Sequence, residues 1–212
     1  FTNYILFIIN FFLIKLFYYL KNNTLNHIYK MNPKTKRILD LFYKYGKKDY
    51  IGEELTQIEH MIQSSMLAIN NIKSIPNKFK NDFVLACFLH DIGHLLEFDS
   101  DLCDKMGDYG VTNHEKLGAD FLRNLGVKYP IPELVENHVK AKRYLVGKNP
   151  TYINELSDAS KKTLIYQGGP MNEEEILTFE KDELFDLSLK IRDYDDKAKI
   201  KDKKILGLEF FE

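Results

Sequence analysis

Between Phe83 and Leu96 lies an apolar run of helical period, interrupted near its centre by an adjacent histidine and aspartate in the string Phe88-Leu89-His90-Asp91-Ile92. Val84, Cys87, Phe88 and Leu95 share one helical face, so the spacing predicts a buried helix over 83–96. Such a helix carries an ionisable pair inside with it. A carboxylate in an apolar interior is costly unless a proton or a cation compensates its charge. Any fold that accepts this run must therefore bring compensating groups to His90 and Asp91.

The rest of the chain is also helical in its spacing. Ile38, Leu41, Phe42 and Tyr45 form one face stopped by Gly46, and Ile58, Met61, Ile62 and Ile69 form another before Pro76 breaks the pattern. Thr112 and Glu115 have capping-box spacing and predict a helix that ends at Gly126. Pro130 and Pro132 introduce a helix that runs to Leu145, and Asn149-Pro150 marks a turn. Ser157 caps a helix terminated by Gly168-Gly169-Pro170, and a last helix spans Asp182 to Lys199. No strand run or internal repeat competes, so the expected fold class is an all-α helical bundle. From Lys201 onward the residues are too mixed to assign.

With 212 residues the chain can bury a core as one domain without disulfides or structural zinc. Cys87 and Cys103 lack metal-ribbon spacing and fit a reducing compartment. Thirty basic against 31 acidic residues leave a net charge of −1, which offers no field for nucleic acid or anionic lipid. Residues 1–30 stand apart as an apolar N-terminal extension. Its run from Tyr4 to Leu20 contains Asn10 and Lys15 and, at 17 residues, falls short of the roughly 20 that a spanning helix needs. The extension is rich in residues that AT-rich codons specify, and Met31 is the first methionine. Translation extended beyond a start at Met31 and a membrane anchor both stay open. Either leaves a catalytic domain over 31–212 in the cytoplasm.

The histidines indicate the chemistry. His60, His90, His114 and His138 fall on helices or near their ends, and Asp195 lies on one stripe of the last helix with Leu184, Ser188 and Ile191, whereas Asp186 lies on another. A carboxylate can bridge two cations and an imidazole cannot, so Asp91 is the expected bridge. His60, His90, Asp91 and Asp195 then form one coordination sphere, and His114 and His138 supply a second. A nitrogen and oxygen set without thiolate suits iron, manganese or another transition ion better than calcium or structural zinc. A His-Asp pair alone is commonly a satisfied core pair; the ordered set makes coincidence a poor account.

Lys142 follows His138 by four residues and Arg192 precedes Asp195 by three, so each shares a face with an expected ligand. With His94, Ser160 and Thr163 they suit a tetrahedral anion such as a phosphate or phosphonate. Tyr50 and Glu53 stand three apart before the His60 helix; periodicity alone reads them as a core tyrosine and an acid favourable to the helix dipole.

Several strings resemble the HD-domain mixed-valent di-iron oxygenases: Asp-Tyr-Ile-Gly-Glu at 49–53, Leu-His-Asp-Ile-Gly-His at 89–94, Tyr-Gly-Val-Thr-Asn-His-Glu at 109–115, Tyr-Gln-Gly-Gly-Pro-Met at 166–171 and Lys-Ile-Arg-Asp-Tyr-Asp at 190–195. The strings are most similar to the branch that oxidises 2-amino-1-hydroxyethylphosphonate to glycine. The resemblance implies an HD-domain helical bundle holding two iron ions as an Fe(II)/Fe(III) pair, with Asp91 bridging. It implies that Tyr50 occupies the second iron until substrate displaces it, and that Glu53 receives the substrate ammonium. His94, Lys142, Ser160, Thr163 and Arg192 would hold the phosphonate. The implied partners are a small hydroxyphosphonate and O2; the charge balance indicates no nucleic acid and, apart from the N-terminal run, no membrane. A metal-dependent phosphohydrolase and a non-catalytic HD domain are the competing expectations.

Overall fold

The computed structural model describes residues 32–50, 52–99, 104–107 and 109–205. The N-terminal apolar run, Met31 and Cys103 lie outside them. The described residues form nine α-helices with no strand: α1 Pro33–Tyr45, α2 Gln57–Asn70, α3 Lys80–Leu89, α4 Ile92–Leu96, α5 His114–Asn124, α6 Ile131–Lys148, α7 Asp158–Tyr166, α8 Glu173–Phe179 and α9 Phe185–Lys197. Two isolated bridges, Asp49 with Thr56 and Lys105 with Val111, close small hairpins. No described helix is long and apolar enough to cross a membrane.

Helix α6 is the hub, packing against α3, α5, α8 and α9, while α2 lies across α3 and α9. Residues of α1 to α6 and α9 build the main core, in which Phe42 stacks on Phe88 with ring centroids 4.6 Å apart. A smaller aromatic group, Tyr144, Phe179 and Phe185, fixes α8 and the start of α9 against the far end of α6.

The expected continuous helix over 83–96 is broken. Helix α3 ends at Leu89, and Asp91 leaves helical geometry with φ −103 and ψ 14 before α4 starts. The His90 ring supplies a reason: its Nδ1 bonds the Cys87 carbonyl at 2.8 Å, the acceptor that the Asp91 amide would need to continue the helix. The break turns His90 and Asp91 toward the same interior space.

The expected Thr112–Glu115 capping box is also absent. Asn113 is the cap, in the left-handed region at φ 56 and without a side-chain cap bond. The Thr112 amide donates instead to Asp104 O in the small hairpin, and Glu115 lies toward His114 Nδ1 at 3.6 Å. Helix α8 was not foreseen, although Asn172 and Glu175 form a full capping box there. The Ser157 cap forms as expected, with the Ser160 amide donating to its hydroxyl. Helix α6 extends three residues past Leu145, to Lys148.

Candidate metal centre

Five elements carry the expected ligands to one interior point. His60 comes from α2, His90 and Asp91 from the α3–α4 break, His114 from the first residue of α5, His138 from α6 and Asp195 from α9. All six are buried. Gly93 permits the closest of these approaches: a Cβ there would lie 1.9 Å from the His114 carbonyl oxygen, so only glycine lets α4 meet the start of α5 at this distance.

The two oxygens of Asp91 face different partners. Oδ2 lies 3.4 Å from His60 Nε2 and 3.5 Å from His90 Nε2, while Oδ1 lies 3.4 Å from both His114 Nε2 and His138 Nε2. Asp195 Oδ1 joins the first group at 3.2 Å from His60 Nε2. His60 and His90 Nε2 are 3.0 Å apart, and His114 and His138 Nε2 are 3.1 Å apart.

These short nitrogen pairs test whether a cation fits. His60 Nδ1 bonds the Ala198 carbonyl, His90 Nδ1 that of Cys87 and His138 Nδ1 that of Val135. A carbonyl only accepts, so each Nδ1 carries the proton and each Nε2 presents a lone pair. Facing lone pairs at 3.0 Å repel unless something positive lies between them. Two nitrogens about 2.1 Å from a common ion stand about 3.0 Å apart at a right angle. Asp195 Oδ1 is likewise buried with no hydrogen bond. The donor set therefore fits a metal ion between His60 and His90, and the equally close His114–His138 pair, 3.1 Å apart, offers a second position.

Electrostatics agree. Burial alone would raise the Asp91 carboxyl, but its imidazole neighbours, His90 first, hold it well below the usual carboxylate range. Burial also raises Asp195, and Arg192, His60 and His90 pull it well below that range. Both stay ionised. Burial lowers His60, but Asp195 and Asp91 outweigh it and lift the imidazole to about 9. In the absence of metal, a proton is held where a cation fits.

The second cluster faces a recess of about 500 Å³, counting the space open to solvent at its mouth. His114 and His138 line it, as do Tyr50, Glu53, His94, Lys142, Ser160, Thr163 and Arg192, so every expected pocket residue reaches one space. His60 and His90 lie behind it. Tyr50 and Glu53 sit on the 49–56 hairpin, which Gly52, at φ 80, lets rest against Ala159 of α7. The Tyr50 ring stacks on His60 at 4.1 Å, and burial together with nearby Asp91 pushes its phenol well above its ordinary pKa. His94 stacks on His114 at 4.0 Å and keeps an unpartnered buried Nδ1. It also lies within 4.8 Å of Asp91 and His114, but the shorter distances of His138 make that residue the better second-cluster donor.

Two expected anion binders differ in their freedom. Lys142 donates to Thr163 Oγ1 at 3.0 Å, and burial, then Arg192, lowers its ammonium to about 7. Arg192 is already committed: Nη1 lies 2.5 Å from Asp195 Oδ2, while Nε and Nη2 hold Asp196, which Tyr152 also grips. Its guanidinium orients a ligand carboxylate more than it waits for an anion. Lys199 was missed. It lines the recess, donates to Ser160 Oγ at 3.1 Å and lies 3.5 Å from Glu53 Oε1. Its place four residues after Asp195 carries the same spacing signal that singled out Lys142.

An HD-domain family model matches residues 57–183, which includes five of the six ligand candidates and leaves Asp195, Tyr50 and Glu53 outside. An uncharacterized protein of Acanthamoeba polyphaga mimivirus is 44% identical over 88% of this chain and 82% of its own length. A [1-hydroxy-2-(trimethylamino)ethyl]phosphonate dioxygenase (glycine-betaine-forming) of Leisingera caerulea is 36% identical over 75% of this chain and 76% of its own. A hydroxymethylphosphonate dioxygenase of Gimesia maris is 33% identical over 81% of each. With well over half its length matched by the family model, the chain belongs to the HD-domain family and is a relative of phosphonate dioxygenases.

Proposed function

We propose that this protein is a di-iron oxygenase that uses O2 to cleave the carbon-phosphorus bond of (R)-2-amino-1-hydroxyethylphosphonate, giving glycine and phosphate. The supporting observation is the division of Asp91: one oxygen faces a group with His60, His90 and Asp195, whose histidines lie behind the recess, and the other faces His114 and His138, which line the cation-bearing recess. In this reading His60, His90, Asp195 and Asp91 hold one iron, and His114, His138 and Asp91 hold the other, as a mixed-valent Fe(II)/Fe(III) pair. The bound irons supply Lewis acidity and electron transfer to O2. The second group has fewer protein donors and lines the recess, so substrate meets it there.

The chain's own groups then position the reactant. Lys142, Ser160, Thr163 and His94 hold phosphonate oxygens, and Arg192 keeps Asp195 in place. Tyr50, stacked on His60, lines the recess beside Asp91 and would occupy the second iron until substrate displaces it. Glu53 accepts the substrate ammonium. A quaternary ammonium favours an aromatic cage, whereas Tyr50 and Tyr109 are the aromatic side chains lining the recess among the described residues; a carboxylate favours a primary amine. Oxidation of the hydroxylated carbon to a carboxylate delivers four electrons, the number O2 accepts, so no further reductant is required. We assign this activity to a catalytic unit over 31–212, in the cytoplasm, with small-molecule partners only.

The test is protein purified without oxygen, loaded with iron and given the hydroxyaminophosphonate. Oxygen uptake matched one to one by glycine and phosphate is the expected result. Phosphate released equally without O2 would identify a phosphohydrolase instead, and no release at all would refute the proposal.

A further inference from the structure

Glu53 already has a cation beside it. Lys199 Nζ stands 3.5 Å from Glu53 Oε1, an ion pair too long to be a hydrogen bond, and that oxygen is buried with no hydrogen-bond donor on it. Both side chains are largely shielded, at 11% exposure for Lys199 and 15% for Glu53. The same ammonium donates to Ser160 Oγ and lies 5.9 Å from the centre of the Tyr50 ring. Lys199 thus stands between the carboxylate end of the recess and its hydroxyl-rich end. Of the other two cations, Arg192 is held by Asp195 and Asp196, and Lys142 is bonded to Thr163 at the hydroxyl-rich end.

We infer that the Lys199–Glu53 pair is an internal stand-in for a zwitterionic substrate, which opens on binding so that Glu53 takes the substrate ammonium and Lys199 moves to the phosphonate. This rests on the oxygenase reading for the substrate class. A phosphonate bearing an ammonium replaces one ion pair with two. An amine-free phosphonate can recruit Lys199 only by leaving Glu53 uncompensated in a shielded recess. Lys199 is thereby a specificity-determining residue as well as an anion contact, and the two halves of the pair pull selectivity in opposite directions.

The test is equilibrium binding of 2-aminoethylphosphonate and ethylphosphonate to anaerobic, iron-loaded protein. Neither ligand has the hydroxylated carbon that is oxidised, so binding is read without turnover. Lys199→Met weakens ethylphosphonate more than 2-aminoethylphosphonate and raises the preference for the amine by about tenfold, equivalent to about 1.4 kcal/mol. Glu53→Gln frees Lys199, tightens ethylphosphonate and lowers the same preference by a similar factor. Lys199→Arg keeps the wild-type preference. Equal effects of Lys199→Met on both ligands, a Glu53→Gln shift in the same direction as Lys199→Met, or no binding of either ligand to wild type overturns the inference. Should Lys199→Met fail to fold, the Glu53→Gln arm decides alone. Oxygen uptake by wild type is scored separately, so the oxygenase reading can fail while the binding shifts stand, and the reverse.

Discussion

Replacing Gly93 by alanine adds one methyl group where α4 crosses the first residue of α5. The new Cβ would sit 1.9 Å from the His114 carbonyl oxygen and 2.7 Å from its carbonyl carbon, both backbone atoms that no rotamer change can move. To reach even a tight contact of 3.0 Å, the start of α5 must retreat by about 1.1 Å. Alanine is the better helix former by about 1 kcal/mol, which offsets part of an overpacking cost of about 1–3 kcal/mol. For a domain of this size the net loss of up to about 2 kcal/mol lowers Tm by up to about 8 °C. The effect on metal is larger, because the same shift carries His114 away from Asp91 and His138, which now lie 3.4 and 3.1 Å from its Nε2. On the di-iron reading, the Gly93→Ala protein should therefore hold about one iron per chain where wild type is expected to hold two, with the loss confined to the second cluster. Elemental analysis, electron paramagnetic resonance and thermal unfolding together check this. A variant that melts within about 1 °C of wild type and still binds two irons would refute the argument that the close approach at Gly93 sets the His114 position.

Metal removal should destabilise the fold, because the Nε2 lone pairs and two carboxylates lose their shared counter-charge; at free metal about 100 times Kd, restoring it adds about 2.7 kcal/mol, read as a rise in Tm. Lys142 should make anion binding pH-dependent. Burial, then Arg192, brings its ammonium to about 7, so below that pH it is already charged, while above it each bound anion must draw a proton. Phosphonate affinity should fall by up to about tenfold per pH unit above 7, and Lys142→Met should flatten that slope in calorimetric titrations. Thr56→Ala removes the capping box with Glu59 at the start of α2 and should cost about 1 kcal/mol, lowering Tm by about 2–4 °C without changing iron content.

Three of the six ligand candidates were legible from spacing, Asp195 on the inward stripe with Ser188 and Ile191 and His90-Asp91 inside an apolar run, whereas His60, His114 and His138 stood out only as an ordered cluster of histidines. The break between α3 and α4 was not legible, since the apolar period continues through it and the cause is a side-chain bond from His90 to Cys87. Helix α8 was hidden by Glu173, Glu174 and Glu175, which leave Ile176 and Phe179 as its buried residues; its signal was the cap at Asn172. Lys199 was obscured by its neighbours Lys197 and Lys201, whose charges belong to exposed ion pairs. What distinguishes it is the hairpin carrying Glu53, a contact made across the fold.

The bond from His60 Nδ1 to Ala198 O spans 138 residues of sequence, and Asp195 approaches the same ring from the same helix. Closing a loop of that length costs about 4 kcal/mol of chain entropy, so the deep cluster cannot exist in a nascent chain that lacks α9. Its assembly awaits α9, and a bound cation would act as a clasp between α2 and α9. Loosening that clasp would release α9 before the core that α2 shares with α3, making α9 the first of the described helices to exchange its amides when metal is withdrawn.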